Sequence, residues 1–331
     1  MTEATRNLRH TALSLVIAVA LLALFVYLFD VFLLAFGAVL LAVLLRGPAD
    51  WISGKTRLSA NWALGAVILV IAALLGAAGW FMGHTVAEQT NQLSQQLPRM
   101  IETVRERLSE YGLLERLMST ATEQRGFLSR GWRAVSATFG ALADLVILLF
   151  MAILLAAQPL LYVNGGVRLV PKEKRERARE VLFEISHTLR RWVLGQMMLM
   201  ALVAVLTYIG LLLLDVQYAL SLAILAGALT FVPFIGPLIA GVIAVLVTLA
   251  QGAKLALYVA LLYVAVQAIE GTFEPLVQRK AVYIAPALLI FAQVVLGILA
   301  GPLGIILATP LAAAGLVAVR MLYIEDVLND R

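Results

Sequence analysis

Residues 221–250 read SLAILAGALTFVPFIGPLIAGVIAVLVTLA, and residues 285–319 read APALLIFAQVVLGILAGPLGIILATPLAAAGLVAV. Each segment consists of two apolar arms joined at a break made of glycine and proline. In lipid every backbone N–H and C=O needs an internal partner, and such a break leaves several of these groups without one. Two breaks in corresponding positions are typical of the binding region of a transporter. The break residues are Pro233, Gly236 and Pro237 in the first segment, and Gly301, Pro302, Gly304 and Pro310 in the second.

The composition of the chain indicates a membrane protein. Of its 331 residues, 62% are hydrophobic and 14% are charged, and the mean hydropathy is +0.96. Several apolar runs approach the ~20 residues that a helix needs to cross a bilayer. We therefore predict an all-α polytopic membrane protein in a lipid bilayer. It would have about eight hydrophobic segments, two of them re-entrant hairpins broken by glycine and proline.

The same composition excludes several kinds of chemistry. The chain has no cysteine, which rules out disulfides, thiolate catalysis and cysteine-based metal sites. Its three histidines are far apart, so we expect no metal centre and no cofactor. The net charge of +5 is typical of basic cytoplasmic loops rather than of a nucleic-acid partner. We do not expect an enzyme, because the sequence offers no convincing intramembrane pairing of histidine and carboxylate.

Basic residues between the apolar runs set the topology. Asp30 separates the first two runs, which form either a tight hairpin or one over-long helix. Basic residues precede and follow this pair, which favours a hairpin with both ends in the cytoplasm. The one-helix alternative would place the most basic loop, GGVRLVPKEKRERARE at 165–180, outside the cell. We therefore predict that the N-terminus and the C-terminus are both cytoplasmic.

The chain is predicted to be one membrane domain, 1–331. Its last part reads as a span, a hairpin entered from outside, a second span and a hairpin entered from inside. This order is an inverted-topology repeat, and the alternative is two kinked helix pairs without symmetry. The predicted parts are the first three spans at 11–83, an extracytoplasmic amphipathic helical segment at 84–140, span four at 141–163, a basic cytoplasmic helix at 164–193, and a transport core at 194–324 with broken hairpins at 219–250 and 285–319.

Three regions outside the core carry predictions of their own. Apolar residues recur at helical spacing between Leu93 and Leu108, which predicts an amphipathic helix. That helix is either a subunit contact in a homo-oligomer or a solvated cap on the bundle. The helix at 164–193 is expected to lie along the cytoplasmic surface, near anionic lipid. Gln158 and Pro159 are expected to kink the end of span four.

Two carboxylates could carry chemistry inside the membrane. Glu270 and Glu274 are four residues apart on one helix face, and Gln267 precedes Glu270 by three. Charges inside spans are costly and usually face a cavity or a partner. A carboxylate in such a place can carry a proton or bind a cation. The alternative is an interfacial pair matched by Arg279 and Lys280.

Three other polar side chains within the apolar segments are of interest. Gln196 opens the fifth span and can hydrogen-bond to a neighbouring helix or to a solute. Gln293 and Thr309 flank the second break and could line the same cavity. We therefore add Gln196 and Thr309 to the candidate binding residues.

Four motifs together resemble one known family. They are RRWVLGQ at 190–196, FVPFIGP at 231–237, VQAIEGTFEP at 266–275 and GPLGIILATPLAA at 301–313. In this order and spacing the chain resembles the AI-2E transporter family, also called the PerM-like or UPF0118 permeases. The resemblance covers nearly the whole chain and is strongest from Gly195 onward. The family's motif residues fall on Gln196, Pro233, Gly236, Gln267, Glu270, Pro275, Pro286, Gly301, Gly304 and Pro310.

The resemblance implies a multi-pass permease of the bacterial inner membrane without an ATPase domain. Members are associated with export of the quorum-sensing signal autoinducer-2, and others with sodium–proton antiport. Three departures remove polar groups from the expected substrate region. Phe234 stands where the family often has Tyr, Thr272 and Phe273 do not supply its usual Asn, and Ala285 replaces its His.

Three functions therefore stay open. The first is a secondary transporter that exports a small polar solute by alternating access, with Glu270 as the coupling residue. The second is a monovalent cation (sodium)–proton antiporter, although the chain lacks the paired intramembrane Asp residues that such proteins often use. The third is an oligomeric membrane scaffold without transport, which has no need of two broken hairpins.

Overall fold

The computed structural model describes residues 28–77, 79–80, 88–89, 138–278 and 284–329. Within these ranges the chain forms helices and turns and no strand, which confirms the prediction of an all-α polytopic membrane protein. The helices are α1 Phe29–Lys55, α2 Ala60–Ala77, α3 Thr138–Ala157, α4 Pro159–Arg168, α5 Arg175–Leu213, α6 Ala219–Leu229, α7 Ile235–Gln251, α8 Ala253–Gln278 and α9 Pro286–Val319; a 3-10 turn, Lys172–Lys174, precedes α5, and a π-helical turn, Arg320–Glu325, follows α9.

Helix length separates the candidate spans from the two short helices of the first broken segment. Among the described residues, α1, α2, α5, α8 and α9 are long and apolar enough to cross a membrane, and α3 with α4 forms a bent sixth candidate. α6 and α7 have 11 and 17 residues. At 1.5 Å per residue they measure about 16 Å and about 25 Å, against ~30 Å for the hydrocarbon core. α6 is too short to cross the bilayer alone, and α7 is at the lower limit of the lengths that can.

α1 begins at the predicted turn between the first two apolar runs. Asp30 lies in its first turn, where a carboxylate faces the positive end of the helix dipole. The helix then continues through Pro48 to its end. The apolar run that precedes Asp30 lies outside the described residues, so the hairpin of the first two spans stays a prediction.

Span four is bent, as its Gln-Pro pair predicts. α3 and α4 meet at 86° on either side of Gln158, and Pro159 is the first residue of α4. The carbonyl of Ala156 beside the bend accepts a hydrogen bond of 2.9 Å from the guanidinium of Arg46, which also pairs with Asp50 at 2.8 Å. If α3 crosses the bilayer, α4 therefore runs nearly parallel to the membrane surface.

α5 joins the predicted basic helix and the fifth span into one element of 39 residues. At 1.5 Å per residue it measures about 58 Å, nearly twice the hydrocarbon thickness. Its charged first half therefore projects out of the membrane in line with the span. This differs from the expectation of a separate helix along the cytoplasmic surface. Gly195 is too weak a helix breaker to part the two halves.

α5 is also the centre of the bundle. It contacts α1, α6, α8 and α9, and one apolar cluster joins it to α6, α7 and α8. A second cluster joins α5 to α1 and α9, and a third packs α1 against α2 and α3. The second cluster contains Phe231 and Ala300, which are residues of the two breaks, around Trp192 of α5. The rings of Trp192 and Phe231 meet edge to face at 5.6 Å.

The predicted outer helix, 84–140, falls almost entirely outside the described residues. One described residue of it, Gln89, touches the core. Its side-chain oxygen accepts hydrogen bonds from the hydroxyl of Ser221 at 3.0 Å and from the Ser221 backbone N–H at 3.3 Å. Ser221 lies in the first turn of α6, whose N–H groups have no partner inside the helix. The outer segment therefore caps the start of the first broken segment.

Candidate functional site

The first break lies between Leu229, the last residue of α6, and Ile235, the first of α7. Phe234 has a φ of 65°, a left-handed value that non-glycine residues rarely adopt. The α-carbon of Gly236 lies against the backbone carbonyl of Leu229, so that a β-carbon at position 236 would overlap it. Pro237 fits in the first turn of α7, where no N–H donor is needed. The local sequence thus produces the sharp turn that it predicts.

Two buried amide side chains cover the first break. The side-chain NH₂ of Gln196, on α5, donates to the carbonyl of Thr230. The side-chain NH₂ of Gln293, on α9, donates to the carbonyl of Pro233 at 3.0 Å. Gln196 is 2% exposed and Gln293 is 0% exposed. The carbonyls that the break frees from helical bonding are therefore satisfied by side chains, as an apolar environment requires.

The second break lies inside α9. Ala300 and Gly301 have non-helical conformations, and Gly301 has a φ of 59°. A β-carbon on Gly304 would overlap the backbone carbonyl of Leu296. In a straight helix these two residues would be about 12 Å apart along the axis. The chain is therefore bent so sharply that the two arms of α9 touch at the break.

Both breaks contain the same close contact between a glycine and a backbone carbonyl. In each, a glycine early in the second arm, Gly236 or Gly304, rests on a carbonyl near the end of the first arm, Leu229 or Leu296. A side chain of any size would push the arms apart. This likeness supports the inverted-repeat hypothesis, which nevertheless stays a prediction.

Two unpaired polar atoms lie in the arms of α9. Among the described residues, four buried side-chain atoms have no hydrogen-bond partner, and two of them belong to α9: the Oε1 atom of Gln293 and the hydroxyl of Thr309. Gln293 lies in the first arm of α9 and Thr309 in the second. An unpaired buried polar atom costs about 1–3 kcal/mol. Each of these two atoms could therefore form a hydrogen bond to a polar solute or to water.

The predicted carboxylate site lies on α8. The side-chain NH₂ of Gln267 donates to Glu270 at 2.8 Å, and both side chains are half-buried. Glu274, one turn further on, is half-buried as well. Arg279 and Lys280 lie outside the described residues, so their pairing with these carboxylates stays an alternative.

A groove of about 660 Å³ runs between α7 and α8 from the first break to Gln267, the hydrogen-bond partner of Glu270. Phe234 and Pro237 of the break line one end of the groove, and Gln267 lines it from α8. Tyr263 also lines it, and its buried hydroxyl has no partner among the described residues. The groove is otherwise apolar. Nothing in the sequence pattern marked Tyr263, because it is an aromatic residue within an apolar helix.

The structure groups the predicted site residues in two places. Gln196 joins Pro233 and the rest of the first break, while Gln267 joins Glu270. Thr309 is 4% exposed and lies in the second arm of α9. Pro302 follows the second break directly, whereas Pro310 is a buried residue well inside the second arm.

Long apolar helices around two sharply broken segments, the first with carbonyls covered by buried amides, define a polytopic membrane protein of the broken-helix kind. Residues 15–324 match the family model described as AI-2E family transporter. The chain therefore belongs to this family, as the sequence motifs indicated.

Curated relatives carry related names. The chain is 23% identical over 309 residues to the "Putative transport protein sll0060" of Synechocystis sp. (strain ATCC 27184 / PCC 6803 / Kazusa), covering 88% of this chain and 86% of that protein. It is 26% identical over 185 residues to the "Putative transport protein YueF" of Bacillus subtilis (strain 168), covering 54% of this chain. The chain spans about half the length of YueF (50%) and 41% of the related YrrI from the same organism.

Proposed function

We propose that this chain is a secondary transporter of the bacterial inner membrane that exports a small polar solute, such as autoinducer-2. The observation that carries the proposal is the pair of breaks, the first covered by two buried amides, together with the unpaired polar atoms in the arms of α9. A pair of short helices and a third helix bent back on itself destabilise the fold, and a scaffold has no need of them. Broken helices of this kind form the binding sites of transporters.

The polar atoms beside the second break limit the chemistry of the solute. The Oε1 atom of Gln293 can only accept a hydrogen bond, whereas the hydroxyl of Thr309 can donate one and accept others. Neither carries a charge. The pair therefore suits a neutral solute with hydroxyl groups better than an anion or a bulky apolar compound.

Alternating access would move the broken segments α6, α7 and α9 against α1–α3. The groove between α7 and α8 offers a path from the first break towards Glu270. Gln267 holds Glu270 by one hydrogen bond, which differs in strength between the charged and the protonated carboxylate. A proton or cation that binds Glu270 would thereby change the conformation preferred by this end of the groove.

Coupled flux in proteoliposomes tests the proposal. Purified protein is reconstituted with autoinducer-2 inside, and a proton or sodium gradient is imposed. We expect gradient-dependent efflux that Glu270→Gln abolishes while the variant still folds. Glu184→Gln, a change of the same kind at an exposed position of α5, should leave efflux intact. Unchanged efflux in Glu270→Gln would refute the coupling role.

A second variant tests the solute site itself. Thr309→Val removes the unpaired hydroxyl with little change of shape and should raise KM about tenfold, because one hydrogen bond in a buried site is lost. Thr248→Val is the matched control, since the hydroxyl of Thr248 is buried but bonded to the carbonyl of Ala244 at 2.8 Å. An equal effect of the two variants would remove Thr309 from the site.

One observation also favours sodium–proton antiport. Sodium prefers oxygen ligands, and both unpaired atoms near the second break are oxygens. Sodium-driven proton movement without added solute, lost in Glu270→Gln, would establish this second function. Absence of both solute flux and sodium–proton exchange would leave the oligomeric scaffold as the remaining hypothesis.

A further inference from the structure

A line of polar side chains follows one face of the largely apolar helix α8. Tyr263, Gln267, Glu270 and Glu274 succeed one another at intervals of four, three and four residues, which places them on the same face of the helix. At 1.5 Å per residue the line is about 16 Å long. Tyr263 is buried, and the other three side chains are half-buried. We call these four residues the α8 stripe.

The α8 stripe lies beside the groove between α7 and α8, because Tyr263 and Gln267 both line that groove. The side of α8 that is exposed is a different one. Leu257 and Leu261 are both 58% exposed, and helical geometry places them at least about a third of a turn away from Tyr263. In a helix that crosses the bilayer these leucines face lipid, whereas polar side chains face a cavity or a neighbouring helix. The stripe is therefore placed to meet a molecule in the groove.

Tyr263 contacts α7 and leaves its polar atom unpaired. A β-carbon on Gly241 of α7 would lie 3.3 Å from the Cδ1 atom of Tyr263, so the ring packs where α7 has no side chain. Tyr263 is 7% exposed, yet its buried hydroxyl has no hydrogen-bond partner among the residues that the structure describes. Buried tyrosine hydroxyls usually have a partner. A ligand in the groove would supply the missing hydrogen bond.

The walls of the groove limit the chemistry of such a ligand. The α7 wall is apolar and includes Leu238, Val242 and Leu246. Neither the residues that line the groove nor the α8 stripe contains a cationic side chain. An anion would therefore find no opposite charge there. A molecule with one apolar face and a hydroxyl or carbonyl group at its edge matches both walls, and a groove of about 660 Å³ can hold it.

We infer that the hydroxyl of Tyr263 binds the transported solute, and that this solute is an uncharged, partly apolar molecule with at least one hydroxyl or carbonyl group. The inference rests on the transport function proposed above and adds a contact in the groove to the unpaired atoms of α9. A phenolic hydroxyl can both donate and accept a hydrogen bond, so either group of the solute can pair with it. Gln267 then offers the next polar contact along the groove.

Kinetics of autoinducer-2 efflux from proteoliposomes test the role of Tyr263. Tyr263→Phe removes only the hydroxyl and should raise KM about tenfold, because one hydrogen bond in a buried site is lost. Its melting temperature should equal that of the parent protein, since the hydroxyl has no partner within the described structure. Tyr258→Phe makes the same change at a 43% exposed position of α8 and should leave KM unchanged. An unchanged KM in Tyr263→Phe, with normal efflux by the parent protein, would overturn the inference alone.

Thiol labelling tests whether the groove admits a solute or is filled by lipid. The chain has no cysteine, so single thiols can be introduced and treated with a charged methanethiosulfonate reagent on both sides of the membrane. Thiols must ionise to react, so Val245→Cys, in the groove, should react faster than Leu257→Cys, on the exposed side of α8. Autoinducer-2 should slow the reaction of Val245→Cys. Equally slow labelling of both thiols would overturn the inference even if the parent protein transports, whereas absence of efflux by the parent protein would refute the proposed function and this inference with it.

Discussion

The amide of Gln196 allows a quantitative test of how the first break is stabilised. Gln196→Leu keeps most of the side-chain volume but removes the donor to the carbonyl of Thr230. Thr230 is 1% exposed, so water does not replace the donor. An unsatisfied buried polar group costs about 1–3 kcal/mol. Hydrogen bonds between membrane helices contribute only ~0.6 kcal/mol on average, because polar groups that lose such a bond find other partners. A carbonyl at a break has no helical alternative, so we expect a value near the top of the membrane range, about 1.5 kcal/mol.

The chain offers a sensitive assay for this change because it contains no cysteine. Val232 lies in the break and is 9% exposed, so a thiol introduced by Val232→Cys reacts with maleimide chiefly when the break opens. If Gln196→Leu destabilises the closed break by about 1.5 kcal/mol, the population in which the break is open, and with it the labelling rate, rises about tenfold. Gln251→Leu, at the far end of α7, is the control. The reasoning fails if Gln196→Leu labels at the parent rate, or if Gln251→Leu accelerates labelling equally.

Three further results are expected. Gly236→Ala and Gly304→Ala should each lower the yield of folded protein, because the added methyl group overlaps a backbone carbonyl. Gly315→Ala, which meets nothing within 4 Å, should leave the yield unchanged in size-exclusion chromatography. Arg177→Gln removes three carboxylate contacts and should speed proteolysis of the C-terminal segment. Salt at about 1 M should reduce the difference in proteolysis rate between Arg177→Gln and the parent protein, since these ion pairs are partly exposed. A difference in rate that does not depend on salt would contradict this prediction. Arg46→Met removes the hydrogen-bond donor of the Ala156 carbonyl at the bend of span four. It should lower the free energy of unfolding by about 1–3 kcal/mol. Equal stability of the variant and the parent protein would show that water replaces the arginine as donor.

The breaks and the bend of span four were predictable because glycine and proline act locally. Pro233 and Gly301 interrupt helices by their own backbone chemistry, whatever surrounds them. The groups that cover the first break were harder to assign. Gln196 reaches a carbonyl 34 residues away, and Gln293 reaches one 60 residues away. The sequence indicated Gln196 as a polar residue at the start of a span and Gln293 as a polar residue near the second break, but it could not show that both bond to the backbone of the first break.

The continuity of α5 was also difficult to predict from the sequence. The change from charged to apolar residues near Leu194 suggested two elements, yet a change of surroundings does not end a helix. No proline or capping signal separates the halves of α5, so hydrogen bonding continues through Gly195. The carboxylates were easier, because helical spacing alone placed Gln267 one turn from Glu270. Their role in transport remains a prediction.

The hydrogen bond from Gln293 to Pro233 has a mechanical consequence. It joins the first arm of α9 to the turn between α6 and α7, so one hydrogen bond links the two broken segments directly. A relative displacement of about an ångström would lengthen this bond beyond the usual limit and leave the buried side-chain NH₂ of Gln293 without an acceptor. Moving either segment alone therefore carries an energy penalty that moving both together avoids. In the transport mechanism proposed above, such a bond would act against leakage, because it disfavours the half-moved states through which ions could pass without the solute.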